Sequence, residues 1–335
     1  MQAAIYGPEG LELTREERRF FRDADPAGFI LFRRNCGDPE QLQRLTDSLR
    51  DLTGRADLPI LIDQEGGRVA RMRPPVWPAF PAAERFATLY RAAPSSAIEA
   101  VRSNSRALGL MLRSCGINVD ALPLLDVRQE GATDIIGDRA LGSEPMQVAA
   151  LGRAVLDGLG SAGVLGIIKH MPGHGRALVD SHHELPIVTA SAEELEIDLE
   201  PFERLATAPL GMTAHVVYTA WDPERPASMS PTVIRDIIRG RIGFDGFLMS
   251  DDIGMEALAG DFGSRAAGVV AAGCDAALHC SGKMEEMAAV AAAVPAMSPE
   301  GEARLARAMA ATMLELEGVD FAEEIAKRDT LLAQV

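Results

Sequence analysis

The chain has 335 residues, 47% of them hydrophobic and 24% charged, the make-up of a soluble globular protein with room for one large domain or two small ones. Its formal net charge is −16, which argues against nucleic acid or an anionic membrane surface as the main partner. An anionic small substrate stays open, because a local site can be basic inside an acidic protein.

Residues 1–10 lack the basic and long apolar stretches of a secretion signal, so no signal peptide is expected. Apolar strand-like runs then fall at residues 3–6, 28–32, 58–62, 117–122, 164–168, 210–216, 246–249 and 272–278. Helical patterns separate them at residues 38–52, 95–114, 146–161, 191–205, 231–239 and 284–293. Ser191-Ala-Glu-Glu has the spacing of a capping box, and Pro231 follows Ser230 as a first-turn proline follows an N-cap. Residues 298–318 read as a closing helix, and residues 320–335 as a polar, loosely packed tail. Alternating strands and helices imply a parallel sheet covered by helices. Eight repeats favour one closed (β/α)8 barrel over residues 1–335, with some irregular strands, rather than an open doubly wound sheet. No glycine-rich dinucleotide fingerprint follows the early strands; the glycines at 240–246 precede a strand instead. Cys36, Cys115, Cys274 and Cys280 are widely spaced, as expected for reduced thiols in a cytoplasm rather than a disulfide framework or zinc ribbon. The longest apolar runs are far short of a membrane span.

A barrel keeps its chemistry at the C-terminal ends of its strands. The residues there are Arg33, Asp63, Asp126, Lys169 with His170, His215, Asp251 with Asp252, and His279. Any strand must reach a polar loop, but so many titratable ends exceed that requirement. In Asp63-Gln-Glu-Gly-Gly-Arg-Val-Ala-Arg, Asp63 and Glu65 alternate and can face the same way. Gly66-Gly67 permits a tight turn that brings Arg68 or Arg71 back to the mouth. A carboxylate beside a guanidinium suits a polyhydroxylated ligand, because one accepts hydroxyl protons and the other donates in a fixed fork. In Ser250-Asp251-Asp252, one aspartate is expected to cap a helix near Met255, leaving Asp251 to face the mouth.

Residues 169–182, Lys-His-Met-Pro-Gly-His-Gly-Arg-Ala-Leu-Val-Asp-Ser-His, hold three of the six histidines, with His183 adjacent. Three chemistries fit the segment. His170 and His174, with Asp180 and His182, have metal-ligand residue types, but Pro172 and its glycines break the helix that the i, i+4 spacing needs. Lys169 at a strand end suits a Schiff base. Asp180 can orient His182 for proton transfer near neutrality. His174 and His183 are assigned structural roles, and residues 171–179 would form a connecting segment able to move.

This segment is similar to the signature of bacterial β-N-acetylglucosaminidases of glycoside hydrolase family three. Gly28-Phe-Ile-Leu-Phe-Arg-Arg-Asn, Asp63-Gln-Glu-Gly-Gly-Arg-Val-Ala-Arg, Ala214-His-Val-Val-Tyr, Pro226-Ala-Ser-Met-Ser and Ser250-Asp-Asp-Ile-Gly-Met resemble other family segments in the same order, over roughly residues 1–290. The resemblance implies a single (β/α)8 barrel and a retaining, two-step mechanism. Asp251 would be the nucleophile, His182 the acid/base and Asp180 its orienting partner. Asp63, Arg71, Arg139, Lys169 and His170 would bind the N-acetylglucosamine ring. Metal and cofactor are expected to be absent, and the protein to be a cytoplasmic monomer. The implied substrate is a small anionic amino sugar, a disaccharide or muropeptide released during cell-wall recycling. A neutral histidine base leaves phosphate open beside water as acceptor. A Lys169 aldolase or lyase, and a non-catalytic sugar-binding protein, are the readings from other classes. Met171 and Gly254 depart from the family's usual residues without removing a reacting group.

Overall fold

The structure, a computed structural model, describes residues 1–129, 131, 136–179, 181, 184–313, 318 and 320–335. Eight strands form a closed barrel: β1 (Gln2–Tyr6), β2 (Pro26–Leu31), β3 (Ile60–Ile62), β4 (Val119–Asp120), β5 (Leu165–Met171), β6 (Leu210–Thr213), β7 (Phe247–Asp252) and β8 (Ala276–His279). Each strand pairs in parallel with its predecessor, and β8 returns to β1 with His279 opposite Tyr6. Nearly every strand residue is buried, as a sheet covered on both faces requires.

All eight apolar runs become barrel strands, with shifted ends. β5 continues through Met171 and β7 through Asp252, so Lys169, His170 and Asp251 stand on the strands themselves. The last run starts late, because residues up to Ala272 complete a helix that ends at Gly273, where φ is +118°. The 210–216 run leaves the barrel after Thr213; Val217–Tyr218 joins Ile187–Val188 and Asp222–Pro226 in a small side sheet.

The helices are α1 (Arg15–Ala24), α2 (Pro39–Thr53), α3 (Ala83–Ala92), α4 (Pro94–Ser114), α5 (Pro145–Ser161), α6 (Ala192–Arg204), α7 (Phe262–Ala272), α8 (Met284–Ala293), α9 (Pro299–Ala310) and α10 (Phe321–Leu332). The capping box at Ser191 forms as expected. The sequence pattern missed α1, which a Thr14–Glu17 capping box starts but whose ten residues include only two large apolar side chains, Phe20 and Phe21. Residues 231–239 were expected to be α-helical; instead Val233–Arg241 is wound as a π-helix. The closing helix expected over 298–318 is α9, followed by a 3-10 turn at Ala311–Met313; residues 314–317 and 319 lie outside the described residues.

Two further expectations differ from the structure. No helix begins at Met255: residues 253–260 are turns and bends, and Asp261 caps α7 by accepting from Ser264 N at 2.7 Å. The 320–335 segment is not a loose tail. α10 packs on α4 and α3, Leu332 is buried, and Arg328 reaches Asn104 at 3.2 Å and the Phe80 ring at 5.7 Å. Its apolar stripe is thin, so the packing depends on partner surface that local patterning does not reveal. No described helix is long and apolar enough to cross a membrane. All four cysteines are free thiols.

Candidate active site

The C-terminal ends of β3, β5 and β7, with the loops that follow them, surround a cavity of about 310 Å³. Asp63, Arg71, Arg139, Lys169, His170 and Asp251 all line it, so every described residue expected at the site meets in one place. Asp180 and His182 lie outside the described residues, while Ser181 between them lines the cavity.

One wall is a chain of alternating charges. Asp63 leaves β3 and receives Arg71 Nη2 at 2.8 Å on one oxygen and Lys169 Nζ at 3.3 Å on the other. Lys169 Nζ also lies 2.8 Å from Glu65 Oε1. Glu65 takes Arg139 in a two-pronged pair, Nε and Nη2 each at 2.8 Å. Burial alone would drive Asp63 and Glu65 towards the neutral acid, but Lys169 and the arginines outweigh it and hold both below the usual carboxylate range. Burial likewise favours neutral Lys169, and the carboxylates of Glu65 and Asp63 overcome it, raising its pKa. Lys169 is therefore an ammonium ion, not the free amine that a Schiff base needs.

The turn expected at Gly66-Gly67 forms, with φ of +96° and +56°. A Cβ at Gly66 would stand 2.3 Å from Pro81 O, so only glycine fits. The turn brings Arg71 back to Asp63, while Arg68 takes Asp138 at 2.7 Å on the rim. Phe32 stands between two guanidinium groups, Arg34 at 4.9 Å and Arg71 at 5.1 Å from its ring centre.

His170 stands on β5, with its Nδ1 2.8 Å from Asp126 Oδ2. The other oxygen of Asp126 accepts the backbone N–H of His170 at 3.2 Å and of His174 at 2.7 Å. Burial pushes Asp126 up, but the His170 ring and these donors bring it to about 2. His174 is buried, with Nε2 3.3 Å from Ser181 Oγ; burial lowers its pKa to about 4, so it is neutral. One nitrogen of each ring, His170 Nδ1 and His174 Nε2, has a protein partner; among the described residues His174 Nδ1 has none, and no group of three or more His, Cys, Asp or Glu is placed to hold a metal.

Asp251 and Asp252 close the third side. Asp251 Oδ1 accepts the N–H of Asp252 at 2.8 Å. Burial raises the Asp251 carboxyl, but nearby His170 and His215, the Asp252 N–H and Lys169 leave it lowered and ionised. Asp252 differs: burial lifts it to about 6, and Oδ1 accepts from Gly254 N at 2.9 Å and Cys280 N at 3.2 Å. It ties down the turn after β7 rather than a helix. His215 lies behind, between Ser228 Oγ at 2.7 Å and Asp252 O at 3.0 Å.

Four strand-end residues do not line the cavity: Asp126 and His215 hold lining residues from behind, and Arg33 and His279 lie apart. Arg33 is exposed, and His279 is buried against Ser281 and the Phe262 ring. Residues 171–177 are not a free connecting segment. Tyr218 donates to Gly173 O at 2.7 Å, Arg176 Nε holds Asp198 at 2.5 Å, and a Cβ at Gly175 would stand 1.9 Å from Val127 O. Glu65 is the main residue that sequence reasoning left out of the site; its i+2 alternation with Asp63 was the available signal.

Residues 5–312 match the model of the glycosyl hydrolase family 3 N-terminal domain. A beta-hexosaminidase of Alkalilimnicola ehrlichii is 40% identical over 90% of this chain and 87% of its own. One from Chromobacterium violaceum is 39% identical over 89% and 84%. Among solved structures, NagZ from Neisseria gonorrhoeae in complex with N-trifluoroacetyl-D-glucosamine superposes with a TM-score of 0.88 at 32% identity, over 99% of this chain and 98% of that one. A family 3 β-N-acetylglucosaminidase from Paenibacillus gives 0.85 at 29% identity, over 98% and 66%. The chain therefore belongs to glycosyl hydrolase family 3 and is a glycoside hydrolase of the beta-hexosaminidase type.

Proposed function

We propose that the protein is an exo-acting, retaining β-N-acetylglucosaminidase that removes terminal N-acetylglucosamine from peptidoglycan fragments. One observation carries this reading: Asp251 is kept ionised and oriented in the same cavity as the Asp63–Arg71–Lys169 cluster. The cluster offers acceptors and cationic donors for sugar hydroxyls. Asp251 attacks the anomeric carbon and the leaving oxygen departs, giving a covalent glycosyl-aspartate. His182, oriented by Asp180, protonates that oxygen and then takes a proton from the incoming water, which releases the sugar and regenerates the Asp251 carboxylate. Arg71, Arg139 and Lys169 supply positive charge inside a chain of net charge −16, which suits the anionic anhydro-muramoyl partner sugar or its peptides. Four free thiols fit a reducing cytoplasm, where such fragments would be recycled.

The test is mass analysis after brief reaction with a 5-fluoro N-acetylglucosaminyl donor. A peptide adduct on Asp251 is expected. Turnover at the wild-type rate by Asp251→Ala would exclude it as nucleophile, and by His182→Ala would exclude that residue as acid/base. Failure to cleave N-acetylglucosaminyl-anhydromuramic acid, with an aryl glycoside still cleaved, would remove the cell-wall assignment alone.

A further inference from the structure

Between the two carboxylates that face the cavity lies a residue that faces the other way. Gln64 alternates with Asp63 and Glu65, and its side chain is 1% exposed. Its amide closes the turn from behind. Oε1 accepts the backbone N–H of Arg71 at 2.8 Å and of Met72 at 3.0 Å, and Nε2 donates to Met72 O at 2.9 Å. The backbone N–H of Gln64 donates to Asp120 Oδ1 at 3.0 Å, at the end of β4. One buried amide thus joins residue 64, on the strand side of the turn, to residues 71 and 72 on its return. Arg71 reaches Asp63 only because the chain folds back at this register. Its guanidinium makes a single 2.8 Å bond to Asp63 and rests on the Phe32 ring.

From this geometry we infer that Gln64 is a positioning residue for sugar binding, setting the Asp63–Arg71 pair through the backbone of residues 71 and 72. It touches no ligand. The inference rests on the reading that Asp63 and Arg71 hold the sugar. Contacts to hydroxyls away from the reacting carbon are made alike in the bound and transition states, so their loss raises KM more than it lowers kcat.

The test is a double-mutant cycle on the full chain with an aryl β-N-acetylglucosaminide. Gln64→Met fills the same space without the amide, and KM is expected to rise about tenfold while kcat changes less than about twofold. In an Arg71→Ala background the same change is expected to have little further effect on KM, because Gln64 acts through Arg71. A purely structural role predicts instead an apparent kcat that falls with the folded fraction in both backgrounds while KM stays unmoved, and that result overturns the inference. Gln64→Glu covers the case in which Gln64→Met does not fold. A protonated glutamic acid can accept from the two N–H groups and donate to Met72 O, so its KM is expected to approach wild type as pH falls through its titration. A KM that stays raised, or that was never raised, overturns the inference. If Arg71→Ala and Asp63→Asn leave KM unchanged while turnover continues, the sugar-binding reading itself fails, an outcome distinct from failure at Gln64 alone.

Discussion

The imidazole Nδ1 of His170 lies 2.8 Å from Oδ2 of Asp126, a carboxylate with no exposure to solvent. An ionised carboxylate only accepts, so Nδ1 carries the proton and Nε2 is the ring nitrogen left for a ligand. Asp126 also holds the backbone on both sides of the turn, at His170 and His174. It orients a side chain in the cavity and the start of the loop that leads to Asp180 and His182.

Asp126→Asn is expected to weaken both roles. The folded carboxyl titrates at about 2, below an ordinary aspartate. A lowered folded pKa contributes stability that is complete above the unfolded value near 4 and is lost as pH falls towards 2, worth about 2 kcal/mol at neutral pH. The variant should be less stable at pH 7 and should show a shallower loss between about pH 4 and pH 2. Its kcat/KM should fall about tenfold or more. Urea unfolding across that pH range, with kinetics at pH 7, checks both. Equal pH slopes for variant and parent would show that the Asp126 carboxyl does not set them.

The pH profile of the activity gives a separate prediction. Asp251 stays ionised below the usual carboxylate range, so it does not limit activity above about pH 5. The alkaline limb of kcat/KM, where His182 loses the proton that it delivers in the first step, should instead persist in conservative variants around Asp251 and disappear in His182→Ala. Asp251→Asn keeps an oxygen for the Asp252 N–H yet cannot form the glycosyl ester, and turnover should fall at least about a thousandfold. Circular dichroism should show the fold retained.

The barrel was legible because each of its eight strands is a short apolar run buried on both faces, which one sequence displays openly. The cavity residues were legible where two signals coincided: a polar residue at a strand end, and glycine punctuation just after it. Asp63, Lys169 and Asp251 meet both conditions or lie beside a residue that does. Arg33 and His279 also meet both, with Gly37 and Gly282 after them, yet neither lines the cavity, because which way a strand-end side chain turns is set by its neighbours in the fold. Glu65 and Gln64 were harder, because their importance comes from partners seventy or more residues away and from backbone groups across a turn. α10 was misread for the same reason: its burial depends on α4, which local patterning does not represent.

Removing one charge from the buried wall should be costly. Glu65 is 8% exposed and joins Lys169 to Arg139. Glu65→Gln leaves both cations in place while deleting the anion between them, and breaking a buried pair in this way costs about 3–5 kcal/mol. The variant should unfold at markedly lower urea concentration, and KM should rise as Lys169 and Arg139 lose their shared anchor. Glu65→Asp keeps the charge on a shorter arm and should recover part of the stability. A Glu65→Gln protein as stable as the parent would mean that the charge chain contributes little.

The tether of residues 171–177 gives the last prediction. Arg176 joins this segment to α6, with Nε on Asp198 Oδ2 at 2.5 Å and Nη2 on the Glu194 carbonyl at 2.8 Å. Asp198 is 1% exposed, and burial already lifts its pKa to about 6 against the pull of Arg176. In Arg176→Met the carboxyl loses that pull, so its pKa should rise further and leave it protonated at neutral pH, which limits the destabilisation to about 1–3 kcal/mol. Tyr218→Phe removes only the hydrogen bond to Gly173 O and should cost about 1 kcal/mol. If the tether fixes the start of the loop, amide exchange within residues 172–177 should accelerate in both variants, more in Arg176→Met. kcat should fall while KM holds, because Asp63, Arg71 and Lys169 are untouched. Unchanged exchange in Arg176→Met would show that packing around Gly175, rather than the ion pair, holds the segment.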